Sequence, residues 1–230
     1  MTACELYSML LAMDARRLYA IENATKRDIA SGVINSISSA LAIAGFVVLV
    51  VRAALAEAKG SVDPAFIVGV ALYGSCVLFR FIMGSLAGFI GRSGALRSLD
   101  EAGVYFLPAG TLMPLVFSLL EGAGKWLVFA SAWAYALLGY VLHLAIVGWY
   151  RRYAVSLGYL FFFCILPLLA PIRESLGEDA FLWFFSGGAF FLIALIFRGK
   201  EGFPYANAIW NAFVFAGVAL QYLGISSILS

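Results

Sequence analysis

Residues 66–90 read FIVGVALYGSCVLFRFIMGSLAGFI, twenty-five residues with a single charge, Arg80. A helix that crosses a bilayer needs about 20 predominantly apolar residues, and this stretch is long enough with turns to spare. Six more stretches of the same kind stand around it, at 31–54, 101–120, 125–149, 153–171, 180–197 and 205–228. Nearly all the charge lies in the short segments between them. Inside lipid, every backbone N–H and C=O must be satisfied within the chain, which leaves helices or closed barrels. Apolar runs of this length specify helices. The expected fold is an all-α membrane protein, a bundle of seven transmembrane helices.

Bulk composition agrees. Of the 230 residues, 63% are hydrophobic and 12% are charged, against roughly 45–50% and about 25% in soluble domains. The 20 Phe, 11 Tyr and 5 Trp exclude a disordered chain. A net charge of +2 gives no basic patch for nucleic acid. Ser186-Gly187-Gly188 and the Gly84/Gly88 pair follow no strand and read as close-packing sites, not phosphate loops. Cys4, Cys76 and Cys164 stand far apart and are read as free thiols.

Lys and Arg set the orientation, because cytoplasmic loops carry their excess. With the N-terminus inside, the inner segments hold ten: Arg16, Arg17, Lys26, Arg27, Arg92, Arg97, Arg151, Arg152, Arg198 and Lys200. The outer segments hold four: Arg52, Lys59, Lys125 and Arg173. The expected topology is N-terminus inside, C-terminus outside. Residues 1–28 form an N-terminal cytoplasmic or interfacial segment, in which Leu6, Met9, Leu10 and Met13 recur at helical spacing. Residues 29–230 form the transmembrane domain. Trp126, Trp149 and Tyr150 suit the aromatic belts at the interfaces.

This topology gathers polar residues at the cytoplasmic ends of four spans. Ser85 lies near the end of the second, Asp100 at the start of the third, Asn207 and Asn211 at the start of the seventh, and Asn35, Ser38 and Ser39 in the first. Polar groups in a bilayer must find partners inside the bundle, so these residues are expected in one inner-leaflet cluster. Ser98-Leu99-Asp100-Glu101 fits a capping box at the start of the third span, with Glu101 as its acidic member. His143, the one histidine, is expected to be a hydrogen-bonded residue between helices.

The order of several pieces resembles the haemolysin III family, the bacterial branch of the progestin and adipoQ receptor superfamily. They are Arg97-Ser98-Leu99-Asp100, then Ala109 to Pro114 (AGTLMP), Trp133 with Gly139, Ser186-Gly187-Gly188, and Phe203 to Val214 (FPYANAIWNAFV). The resemblance runs from about Arg27 to Ile225 and implies a zinc site near the cytoplasmic face. Zinc-activated water there would cleave an amide or ester bond in a lipid. Related eukaryotic receptors are linked to ceramide hydrolysis. The family's histidine positions fall here on Phe89, Asn207 and Asn211, while Ser85 and Asp100 match. The family's first-helix polar element is softened to Asn35-Ser36-Ile37-Ser38-Ser39. Phenylalanine is no zinc ligand and a carboxamide oxygen is a poor one, so the reading is a site without zinc or any other cofactor.

Arg80 is the costliest residue in the spans, at about +2.5 kcal/mol or more if centred in the bilayer. Nine helical steps place it about 180° from Phe89. It is therefore expected to point away from the family's metal position and to pack or snorkel along the stripe of Cys76, Gly84, Ala87 and Gly88. The resulting expectation is a non-catalytic protein of the bacterial inner membrane whose partners are lipids. Its candidate ligand-binding residues are Asn35, Ser39, Ser85, Asp100, Asn207 and Asn211. A lipid hydrolase with a rebuilt metal site and a membrane-lytic haemolysin are the alternatives.

Overall fold

The computed structural model describes residues 3–90, 94–145, 176–198, 203 and 205–229, with side chains described from residue 26 onward except residue 27. Among them, every regular element is a helix: α1 Ala3–Ala58, α2 Pro64–Ile90, α3 Gly94–Leu119, α4 Gly122–Ala145, α5 Glu178–Phe197 and α6 Ala206–Ile228. Six segments are long and apolar enough to cross a membrane, the one in α1 covering Asp28–Ala58. The apolar stretch 153–171 lies outside the described residues. So do the loop arginines Arg92, Arg151, Arg152 and Arg173, and Trp149 and Tyr150. The chain is a multi-pass helical membrane protein.

Local chemistry places the ends. At the close of α1, Gly60 takes φ 73, which a glycine adopts without steric cost. Its N–H bonds the Glu57 carbonyl at 2.7 Å and the Ser61 N–H bonds the Ala56 carbonyl at 2.9 Å, the paired closure that satisfies the last carbonyls of a helix. Three residues on, the Asp63 carboxylate accepts the Ala65 N–H at 2.6 Å, with Pro64 opening α2. Between α3 and α4 stand only Leu120 and Glu121, so those two helices run antiparallel.

α3 is the most enclosed helix and lies against α2 and α4; α2 also packs on α1, and α5 packs on α6. The main core joins Leu49 of α1, Phe66, Val70, Val77 and Phe81 of α2, Val104 and Leu107 of α3, Phe184 and Phe191 of α5, and Val214, Val218 and Ile225 of α6. Lipid gives helices no hydrophobic drive to associate, so close approach through small residues carries the packing. A Cβ at Gly88 would stand 2.4 Å from the Cα of Gly32, and one at Gly187 would stand 2.6 Å from the carbonyl oxygen of Gly217. Gly84, Gly88 and Gly187 are the close-packing positions read from the sequence.

One expectation is corrected. α3 begins at Gly94, well before Ser98, so Ser98 is inside the helix and the capping box does not form. The segment Gly94 to Leu99 has no proline, and Arg97 at a membrane boundary is no obstacle to a helix. Ser98 instead shares a hydrogen bond of 2.6 Å with the Tyr140 hydroxyl of α4. Glu101 accepts from Arg198 Nη2, just past α5, at 2.6 Å.

Candidate functional site: a buried arginine network

Arg80 sits ten residues before the end of α2, a distance of about 15 Å along the helix. Its Cα lies against Gly103 of α3, where a Cβ would stand 2.9 Å away. Its guanidinium runs one turn towards the end of α2 and passes over Gly84, where a Cβ would stand 2.7 Å from Nη1. Glycine at both positions gives the arginine room to lie along its own helix. The side chain is 3% exposed.

In that groove the guanidinium meets two partners. Nη1 donates to Asp100 Oδ1 of α3 at 2.7 Å, and Nη2 donates to Asn211 Oδ1 of α6 at 2.7 Å. The Asn211 amide nitrogen donates onward to the Ser31 hydroxyl of α1 at 2.7 Å. One chain of hydrogen bonds therefore ties α3, α2, α6 and α1 together. A buried ion pair of this kind offsets its desolvation only when the remaining donors and acceptors are satisfied.

The expected orientation of Arg80 holds, since it lies over Gly84 of the small-residue stripe, but its pairing with Asp100 and Asn211 was not foreseen. The helical wheel itself holds: Phe89 and Arg80 are on opposite sides of α2. But Phe89 is 53% exposed and turns outward beside Gly32, whereas Asp100 and Asn211 converge on the arginine's side. The cluster at the α2 end, the α3 start and the α6 start exists, and its centre is Arg80 rather than Phe89. The phenyl ring is outside it. Asn207 is half-buried and takes part in none of the described hydrogen bonds.

The first-helix residues divide. Asn35 is buried and its amide nitrogen lies over Gly84 beside Arg80 Nη1. Asn35 Oδ1 and Arg80 Nε are buried with no hydrogen-bond partner among the described residues. Ser39 turns its hydroxyl back to the Asn35 carbonyl at 2.8 Å. Ser85 shares a hydrogen bond of 2.5 Å with Ser36, which links α2 to α1 one turn beyond the arginine. His143 is buried and its Nδ1 lies 3.0 Å from the Tyr105 hydroxyl, an interhelical contact between α4 and α3. Ser31 and Arg198 entered no site reading from the sequence. The spacing of Ser31, Asn35 and Ser38 on one face of α1 carried the first signal. Nothing in the local sequence marked Arg198, whose guanidinium also lies over the Trp210 ring at 5.1 Å.

Chemically, the cluster can bind and orient a polar group. Asp100, its carboxylate, is committed to Arg80. No group of three or more His, Cys, Asp or Glu side chains converges among the described residues.

The family model described as Haemolysin-III related matches residues 27–222. Hemolysin-3 of Bacillus cereus is 26% identical over 203 residues, which cover 86% of this chain and 89% of that protein. Hemolysin-3 homolog of Bacillus subtilis (strain 168) is 26% identical over 200 residues, covering 86% of this chain and 92% of its own length. No solved structure matches the chain significantly.

Proposed function

The chain belongs to the haemolysin-III-related family, and on that premise we propose that it is a non-catalytic member, a membrane-resident protein that binds the polar part of a lipid at the Arg80 network. It has seven spans, N-terminus inside, in a bacterial inner membrane, and serves a regulatory or membrane-homeostasis role. The observation that carries this reading is the guanidinium of Arg80 holding Asp100 and Asn211 together. A zinc ion placed there would face a buried cation 2.7 Å from its only carboxylate ligand. Zinc sites with chemistry use three protein ligands and an open position, and the cluster offers one carboxylate and amides. The donor set does not fit the metal. What it retains is the Arg80 N–H and the Asn35 carbonyl oxygen, one donor and one acceptor, as hydrogen-bonding capacity for a bound polar group.

The test is metal content and lipid retention in the purified full chain. Zinc is expected well below one per chain, with melting unchanged by zinc or chelator. Lipid retained in native mass spectrometry is expected to fall in Asn35→Leu. One zinc per chain, lost in Asp100→Ala, or chelator-sensitive turnover of ceramide-like or ester lipids, overturns the reading. The relatives' printed name speaks of haemolysis; lysis of red cells by the pure protein, above that of an unrelated seven-helix protein, would bring that activity to this chain.

A further inference from the structure

About 15 Å farther along α6 than Asn211, near the opposite face, stands a second polar group that no reading of the sequence picked out. Gln221 is 1% exposed, and both its amide nitrogen and its carbonyl oxygen are without a hydrogen-bond partner among the described residues. An unsatisfied amide away from water costs several kcal/mol in lipid, and this side chain carries two such atoms.

Its surroundings are glycine and phenylalanine, with the Phe191 ring against Gly217 and the Phe184 ring against Gly224, none of which offers a side-chain polar atom. Gly217 and Gly224 flank it one turn to either side on α6, and a Cβ at Gly187 of α5 would stand 2.8 Å from Gln221 Cγ. The side chain thus crosses a close approach of α5 and α6, and those three glycines have no side chain with which to compete for its amide. One turn before it, the Val218 carbonyl accepts the Tyr73 hydroxyl of α2 at 2.9 Å, so that tyrosine already has its acceptor. Ile228, the last residue of α6, is seven residues away, about 10 Å, a depth within reach of the interface of a hydrocarbon layer about 30 Å thick.

We propose that Gln221 marks a second binding site, between α5 and α6, for a small neutral group that both donates and accepts a hydrogen bond, namely a hydroxyl. Neutrality follows from the carboxamide, which offers no charge to offset the desolvation of an ion. A hydroxyl matches its two ends, accepting from the N–H and donating to the C=O. The hydroxyl belongs to a lipid such as diacylglycerol or to a water molecule. The site does not depend on the Arg80 network.

Melting of the full chain in phosphatidylcholine nanodiscs, with and without diacylglycerol, tests it. The wild type is expected to rise by about 2–4 °C with diacylglycerol, and Gln221→Leu is expected to stay unmoved. Gln221→Met replaces it should the leucine variant fail to fold. If neither protein moves, a high-resolution map of the wild type with one rounded peak bonded to both amide atoms, absent from the variant, assigns the hydroxyl to water. No shift and no peak, or an equal shift in wild type and variant, overturns the proposal.

Discussion

At the scale of single residues, Arg80 decides how the inner cluster is built. A charged side chain inside the spans is tolerated when it faces the bundle interior and finds partners, and Arg80 finds two. Removing one partner of a buried pair leaves an uncompensated charge and costs about 3–5 kcal/mol, whereas replacing both by apolar residues of similar volume is close to neutral or better. Asp100→Ala is therefore expected to lower the melting temperature of the purified protein sharply. The double variant Arg80→Met with Asp100→Leu should recover most of that loss. A double variant that melts as low as Asp100→Ala would show that the pair adds no coupling and that Arg80 is held by something else. The arginine was legible as an anomaly in the sequence, and its angle relative to Phe89 was legible too. Which side of α2 faced the interior was not, because periodicity fixes angles within one helix and says nothing of where its neighbours stand.

At the scale of helices, small residues set the distances. α1 and α2 cross where Gly32 meets Gly88, and a side chain at position 88 would enter the backbone of α1. Gly88→Ala is expected to force those helices apart at a cost of about 1–3 kcal/mol. Gly94→Ala, where nothing stands within 4 Å of an added Cβ, should leave melting unchanged or raised, since alanine is the better helix former. Equal melting of the two variants would contradict the packing at the α1–α2 crossing. The start of α3 belongs to the same scale. Ser98 and Glu101 have the spacing of a capping box, yet the helix extends upstream to Gly94 and their side chains turn to Tyr140 and Arg198. Capping spacing is a local signal, and it loses to partners on α4 and beyond α5 that local sequence does not reveal.

For the whole molecule, the testable quantity is the number of crossings. The proposed topology, seven spans with ten Lys and Arg inside against four outside, puts the C-terminus outside. A reporter fused after Ser230 is expected to be active only if it folds outside the cytoplasm, and a cysteine-labelling reagent that does not cross membranes should reach a cysteine placed at Ser230 in intact spheroplasts. A reporter active only in the cytoplasm would invert the orientation, with the N-terminus outside, and would place the arginine network at the outer face, because Asn211 near the start of α6 bonds Ser31 near the start of the first span.

Composition and the length of the apolar runs determined by themselves that this is a helical membrane protein, because lipid leaves the backbone one way to satisfy itself in segments of that length. The gathering of Asp100, Asn211, Asn35 and Ser85 towards one end of the spans was also readable, since loop lengths and charges fix which helix ends share a side. Only the tertiary structure decided that Arg80 joins them, that Phe89 does not, and that Gln221 is enclosed between α5 and α6. Those outcomes depend on how each helix is rotated about its axis, and rotation is set by the fit of glycines on one helix against the backbone of the next, a relation between distant residues that no single stretch of sequence contains.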